Sequence, residues 1–211
     1  MPTPSGRSRG SYSGTAERRR TIARAVLDLV LEKGHAGVTT AETAARAGAG
    51  EATVLYHFPS RDHLLVAALS CAFDEDDERS PAGDDVLDIE RLREYATGTH
   101  RQVTLLYTAL AGHIGTPGHP ARDFFAAHHA AALHRWTAII VARQQAGLAH
   151  PGLDPAEVAR QFLATWNGLR TQSLIDPAFD LGATLISALR RLTLQNWMET
   201  REKLLDPAAG L

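Results

Sequence analysis

Thr53, Tyr56 and His57 stand close together and offer two hydroxyls and an imidazole, while Glu51 and Ala52 just before them add a carboxylate and a methyl group. The chemistry these groups suit is recognition of an edge rather than making or breaking a bond. A carboxylate can accept from the amino group of cytosine, and a small methyl can meet the methyl of thymine. Hydroxyls and ring nitrogens can bond other base edges. Thr39, Thr40, Arg46 and Arg61 flank this group and are of the types that hold phosphate. Arg61 falls at the start of a helix, where the dipole disfavours a cation, so an outside anion such as a DNA phosphate is its expected partner. The plainer alternative is a solvated Arg61 paired with Asp62.

The elements that would position these groups are legible between Thr39 and Phe58. Thr39 followed by Glu42 is a capping box, which starts a helix. Gly48 and Gly50 stop it, because glycine takes the left-handed conformation without a Cβ penalty. A second short helix begins near Glu51. Ala44 and Ala47 are small enough for the two helices to cross closely, and Val54 supplies the inner apolar contact. Short helix, glycine turn, short helix is the helix-turn-helix pattern, whose second helix enters the major groove of DNA. A helical hairpin with an Ala-rich packing face is the competing reading of this stretch alone.

The flanks favour the first reading. A helix is expected from Thr15 to Lys33, with Ile22, Val26, Leu29 and Val30 on one face and Gly34 at its end. Arg18, Arg19 and Arg20 open it, and one or two of them are expected on phosphates. Ser60 caps a further helix that runs to about Glu78 and carries Leu64, Leu65, Ala68, Leu69 and Phe73. The acid run at its end, 74–78, is read as a frayed and solvated terminus.

Residues 18–65, through EKGHAGVTT and ETAARAGAGEATVLYHFPSRDHLL, resemble the DNA-binding domain of the tetracycline-repressor (TetR) family of bacterial regulators. The likeness extends over nearly fifty residues. It departs at Thr43, where the family has a bulky aliphatic residue, at Ala49-Gly50, where it often has Val-Ser, and at Leu55, where it commonly has a Tyr that contacts phosphate. The resemblance implies a one-component transcriptional regulator, most often a repressor, that binds a palindromic DNA operator as a homodimer and answers to a small-molecule effector.

The chain has 211 residues, 44% of them apolar, and a formal net charge of −2, so it is no uniformly basic nucleic-acid binder. Its charge is uneven, with nine Lys/Arg against six Asp/Glu up to residue 70 and thirteen against eighteen beyond it. A mildly basic head on an acidic body fits DNA at one end and sensing at the other. Cys71 is the only cysteine, which excludes an intrachain disulfide framework. No apolar run approaches the roughly 20 residues that span a bilayer. A cytoplasmic protein without membrane attachment is the expectation. The Pro-, Ser- and Gly-rich residues 1–14 read as a flexible tail, 15–60 as the DNA-binding domain, and 61–205 as the ligand-binding and dimerisation domain.

The body reads as helices over Val86–His100, Arg101–Ile114, Ala121–Gln145, about 155–175 and about 181–203, with Asp154-Pro155 and Asp180 as start signals. No strand pattern is visible, so the expected fold is all-α with about nine helices. Phe162, Trp166 and Leu169 form one apolar stripe and Leu185, Leu189 and Leu192 another. These stripes are the expected dimer interface, as two helices that pair with their own copies give a four-helix bundle. The rival is that both belong to the core of one chain. Residues 166–177 also resemble a C-terminal element of TetR-family regulators, with Asn167 where Asp is frequent.

The expected ligand site draws on Tyr95, Leu106, Tyr107, Leu110, His113 and Phe124. Phe125, His128, Trp136, Trp166 and Arg170 complete it, a mostly apolar set with a few polar tips. The effector is therefore expected to be small and largely apolar. Ten histidines invite a metal reading, but no HxxxH pair occurs and Cys71 has no nearby ligand partner, so neither metal nor cofactor is expected. No nucleophile motif, phosphate loop or dinucleotide fingerprint points to an enzyme. The alternatives are a helical small-molecule-binding protein or enzyme with a vestigial DNA-binding head, and an adaptor that docks another protein on the Leu stripes.

Overall fold

The structure is a computed structural model that describes residues 9–199. It is all-helical, and no strand occurs among the described residues. The first helix, α1 (Arg9–Lys33), begins ahead of the expected Thr15, so 9–14 are helical rather than tail; the rest of the expected tail, 1–8, lies outside the described residues. Helices α2 (Thr40–Arg46), α3 (Glu51–His57) and α4 (Arg61–Glu78) follow, the acid run at 74–78 remaining helical. Then come α5 (Ile89–Thr97), α6 (Arg101–Ala111), α7 (Ala121–Gln145), α8 (Pro155–Ile175) and α9 (Leu181–Leu192). The chain divides into two compact units, one holding residues to Asp77 with His100–Phe124, the other Glu78–Thr99 with the residues from Phe125 on.

In the first unit α1 packs on α2 and α6, and α2 on α3. The stripe read on α1 is its buried face, with Ile22, Val26 and Val30 fully covered and Leu29 nearly so. Leu64, Leu65, Ala68, Leu69 and Phe73 are the buried face of α4. Burying an aliphatic side chain of this size contributes about 1.5–3 kcal/mol, so these faces fix the helices far more firmly than helix propensity does.

The second unit is built on a cluster in which Trp136, Ile140, Phe162, Trp166, Leu185 and Leu189 meet Leu92. Trp136 lies 4.4 Å from Phe162 and 5.6 Å from Trp166 by ring centroids, in tilted and edge-to-face arrangements that aromatic pairs favour. Its helix starts are local. The Asp154 carboxylate accepts from the Ala156 amide ahead of Pro155, and Asp180 accepts from Ala183.

Two expected boundaries are corrected. Val86 ends a 3-10 turn over Gly83–Val86, and Asp88 caps α5 by accepting from the amides of Glu90 and Arg91, so the helix begins at Ile89. That helix ends at Thr97 rather than His100, which instead caps α6, its Nδ1 accepting from the Gln102 amide. The last helix is also shorter than expected. α9 stops at Leu192, Leu194 takes a left-handed φ of 57°, and helix resumes over 195–199; the expected end near 203 lies outside the described residues.

Candidate nucleic-acid interface

Helices α2 and α3 owe their start and separation to the side chains singled out in the sequence. The Thr39 hydroxyl accepts from the Glu42 amide at 3.3 Å and donates to the Glu42 carboxylate at 2.6 Å. Lys33 Nζ reaches the same carboxylate at 2.5 Å. The Lys33 contact and then the Thr39 contact hold the Glu42 carboxyl below its ordinary value. Gly48 takes φ +58° and ends α2, and Gly50, in extended conformation, precedes α3. Ala44, Ala47 and Val54 are buried where the two helices meet. Thr43 is fully buried too, and its hydroxyl is satisfied by the Thr39 carbonyl at 2.8 Å. A polar residue can therefore stand at this covered position.

This packing turns the other face of α3 outward. Glu51, Ala52, Thr53, Leu55 and Tyr56 are exposed and His57 is half-buried. Tyr56 is 81% exposed while Val54, two residues before it, is 0% exposed. An aromatic ring left in water on a short, well-anchored helix presents contact area that the fold itself does not use. The Tyr56 and His57 rings meet edge-on at 5.1 Å.

The flanking cations are anchored as well as available. Arg46 makes two parallel bonds of 2.7 Å to the Glu32 carboxylate, a contact that raises Arg46 and lowers Glu32 from their ordinary pKa values. Arg61 donates to the carbonyls of His35 at 2.5 Å, Ala36 at 3.2 Å and Val38 at 3.1 Å. It thus ties the start of α4 to the turn before α2, rather than pairing with Asp62, which faces His119 at 3.3 Å. Arg19 donates to the His57 carbonyl at 2.6 Å and lies over the Phe58 ring at 4.5 Å. These cross-links tie α1 to α2 and α3, and α4 to the turn at 35–38, and sequence spacing gave no sign of them. Thr39 is exposed and Thr40 half-buried at the first turn of α2.

The residues expected to line a ligand site fall into both units. Leu106, Tyr107, Leu110, His113 and Phe124 belong to the first. There Leu106 and Leu110 are core, Tyr107 and Phe124 each lie 6.0 Å from Phe73, and exposed His113 stacks on His119 at 4.5 Å. Tyr95, Phe125, His128, Trp136, Trp166 and Arg170 belong to the second. Phe125, Trp136 and Trp166 are buried, His128 is half-buried, the Tyr95 hydroxyl accepts from Arg135 at 3.1 Å, and Arg170 lies over Trp166 at 5.1 Å. Of the stripes expected at a dimer interface, Phe162, Trp166, Leu185 and Leu189 are buried within the single chain, whereas Leu169 and Leu192 are half-buried. Among the described residues no group of three or more His, Cys, Asp and Glu is placed to hold a metal ion, and no helix is long and apolar enough to cross a membrane.

Two anchored short helices, a glycine turn and an outward-facing second helix define a helix-turn-helix protein. The family of bacterial regulatory proteins, tetR family, matches at residues 22–68, which span this unit. A Rhodococcus sp. protein assigned to the TetR family of transcriptional regulators is 26% identical, with a TM-score of 0.68 over 84% of this chain and 99% of that one. A transcriptional regulator of Saccharomonospora viridis, crystallised with choline, is 23% identical with a TM-score of 0.64 over 86% and 97%. A TetR regulator of Haloarcula marismortui is 17% identical with a TM-score of 0.66 over 84% and 97%. The last two show the shared fold alone. No curated protein sequence matches this chain. Residues 22–68 are thus of the DNA-binding kind found in tetR-family regulatory proteins, and the chain shares its fold with regulators of that family.

Proposed function

We propose that the protein is a homodimeric transcriptional repressor that grips a palindromic operator and releases it when a small molecule fills the body. The observation that carries this reading is the outward face of α3, where Tyr56 is 81% exposed beside fully buried Val54. Glu51, Ala52, Thr53, Tyr56 and His57 read base edges. Thr39, Thr40, Arg46 and Arg61 hold phosphates, the last two through the donors left over from their protein contacts. A single seven-residue helix reads few bases, and a two-fold dimer doubles the reading across half-sites about one helical turn, ~34–36 Å, or a multiple of it apart.

Two copies pair through α8 and α9, with half-buried Leu169 and Leu192 at the seam. Phe162, Trp166, Leu185 and Leu189 lie beneath and stiffen the surface from within the core. The effector is a small, largely apolar molecule. Tyr95, Phe125, His128, Trp136, Trp166 and Arg170 meet it in the second unit. The similar regulator crystallised with choline supports a small organic effector. The effector must bind the released state more tightly than the DNA-bound one, since equal affinity shifts nothing. Such a protein works in the cytoplasm, where its operator is.

The test is an electrophoretic shift of the whole chain with the DNA upstream of its own coding sequence, run at low salt with a scrambled duplex as control. A discrete shift at a palindrome, lost on adding salt, is expected. A folded dimer that prefers neither duplex would overturn the reading.

A further inference from the structure

The seven residues of α3 cannot hold a helix on propensity alone, since isolated helices below about 12–15 residues are marginal in water. Its N-cap, Gly50, makes no side-chain capping bond, and Val54 is its one buried residue. A single buried side chain sets how deep the helix sits on α2 but leaves its tilt open. A second fixed point is needed if Tyr56 and His57 are to face one direction.

Arg19 supplies that point from α1. Its Nη1 donates to the His57 carbonyl at 2.6 Å, and its guanidinium carbon lies 4.5 Å from the centre of the Phe58 ring. His57 is the last residue of α3, where helix carbonyls lack an intrahelical donor and the dipole favours a cation. Phe58 is 3% exposed, so the ring beneath the guanidinium is itself held in the core. A planar fork that bonds an oxygen at its edge and a ring at its face is fixed in angle as well as distance, which an ammonium is not.

We propose, resting on the repressor reading, that Arg19 is a positioning residue for DNA recognition. It acts through the end of α3, setting the direction of Tyr56 and His57, and leaves phosphate contact to its exposed neighbours Arg18 and Arg20.

The experiment uses the full chain and compares the parent with Arg19→Lys, which keeps the charge but not the fork, and Arg19→Gln, which keeps neither. Binding to the cognate operator and to a scrambled duplex is titrated by fluorescence anisotropy over a series of salt concentrations. Both variants should lose at least about fivefold in operator affinity, with scrambled-duplex binding and the salt slope little changed. Full operator affinity in Arg19→Lys would overturn the proposal. So would equal losses on both duplexes in Arg19→Gln with a salt slope lower by about one, the signature of a phosphate ligand. Hydrogen exchange of the free chain gives a readout without DNA. Amides of 54–58 should exchange about two- to fivefold faster in Arg19→Gln than in the parent, with those of 26–30 in α1 unchanged. Equal exchange in parent and variant overturns the positioning role whether or not an operator is found. A parent that prefers neither duplex, with the exchange difference present, counts against the repressor reading alone. If Arg19→Gln does not fold, Arg19→Lys decides by both measurements.

Discussion

The outward face of α3 and the aromatic cluster around Trp136 put the same kinds of side chain to opposite ends. On α3 a tyrosine is 81% exposed and contributes nothing to holding the helix, which is done from beneath by Val54. In the second unit Trp136 and Phe162 are 1% and 2% exposed, and each is part of what makes the unit a solid. A protein that must meet DNA keeps its reading groups apart from its core, so they can vary without loss of the fold. A body that senses a small molecule cannot separate the two, since its pocket wall and its core are one layer of side chains.

The largest effect that would sharpen this contrast comes from the core. Phe162→Ala removes a ring packed against Trp136 at 4.4 Å and Trp166 at 6.1 Å. It should cost about 3–5 kcal/mol in urea unfolding, through lost transfer energy and the cavity left behind. A loss below about 1 kcal/mol would mean that the ring is not a core group and that the contrast is misdrawn.

Tyr56→Ala is its mirror image. Unfolding should stay within about 0.5 kcal/mol of the parent, as for exposed sites that carry no structural contact. Affinity for the cognate operator should fall by about 1–3 kcal/mol while non-specific binding is little changed. A variant that loses stability but not DNA affinity would invert the assignment of this residue.

The same contrast explains how much was legible in the sequence. Thr39 with Glu42, Gly48 before Glu51, and Asp154 with Pro155 act over a few residues, so spacing reveals them and the structure places each in that role. Arg19 on the His57 carbonyl, Arg46 on Glu32 and Arg61 on Val38 span 38, 14 and 23 residues. Nothing in local pattern encodes such pairings, so for Arg61 near a helix start spacing suggests a phosphate ligand or a solvated pair with Asp62, and not a tie to a distant backbone. Burial of the stripes on α8 and α9 was legible, but not what buries them, because periodicity marks an apolar face without naming its cover. The open cleft lined by residues 78–81, 85, 91 and 94–95 left no trace either, because each of its exposed walls looks like solvated surface.

Thr39→Ala gives a smaller effect, confined to the head. It removes the acceptor for the Glu42 amide and the donor to the Glu42 carboxylate, and should cost about 1 kcal/mol. Thr39→Ser should recover most of it, since the hydroxyl is what caps. If alanine and serine behave alike in thermal melts, the cap does not hold α2, and the legibility of this start signal was accidental.

The smallest expected effect is a pH dependence carried by His35. Its pKa is lowered from the ordinary 6.5, first by desolvation and then by the positive charge of Arg61, whose guanidinium bonds the His35 carbonyl. A lowered value means the folded chain resists a proton that the unfolded chain accepts. The contribution is fully present above pH 6.5 and is lost as pH falls below it through the folded value. Melting temperatures between about pH 8 and about pH 5 should therefore fall less steeply for His35→Gln than for the parent. Arg61→Gln removes the second cause, so it should shrink the His35 contribution even as it weakens the tie between α4 and the turn before α2. The difference between parent and His35→Gln isolates this one site from the other nine histidines. Parallel pH profiles for the two would show that the imidazole is solvated, and that Arg61 acts on the backbone of this turn alone.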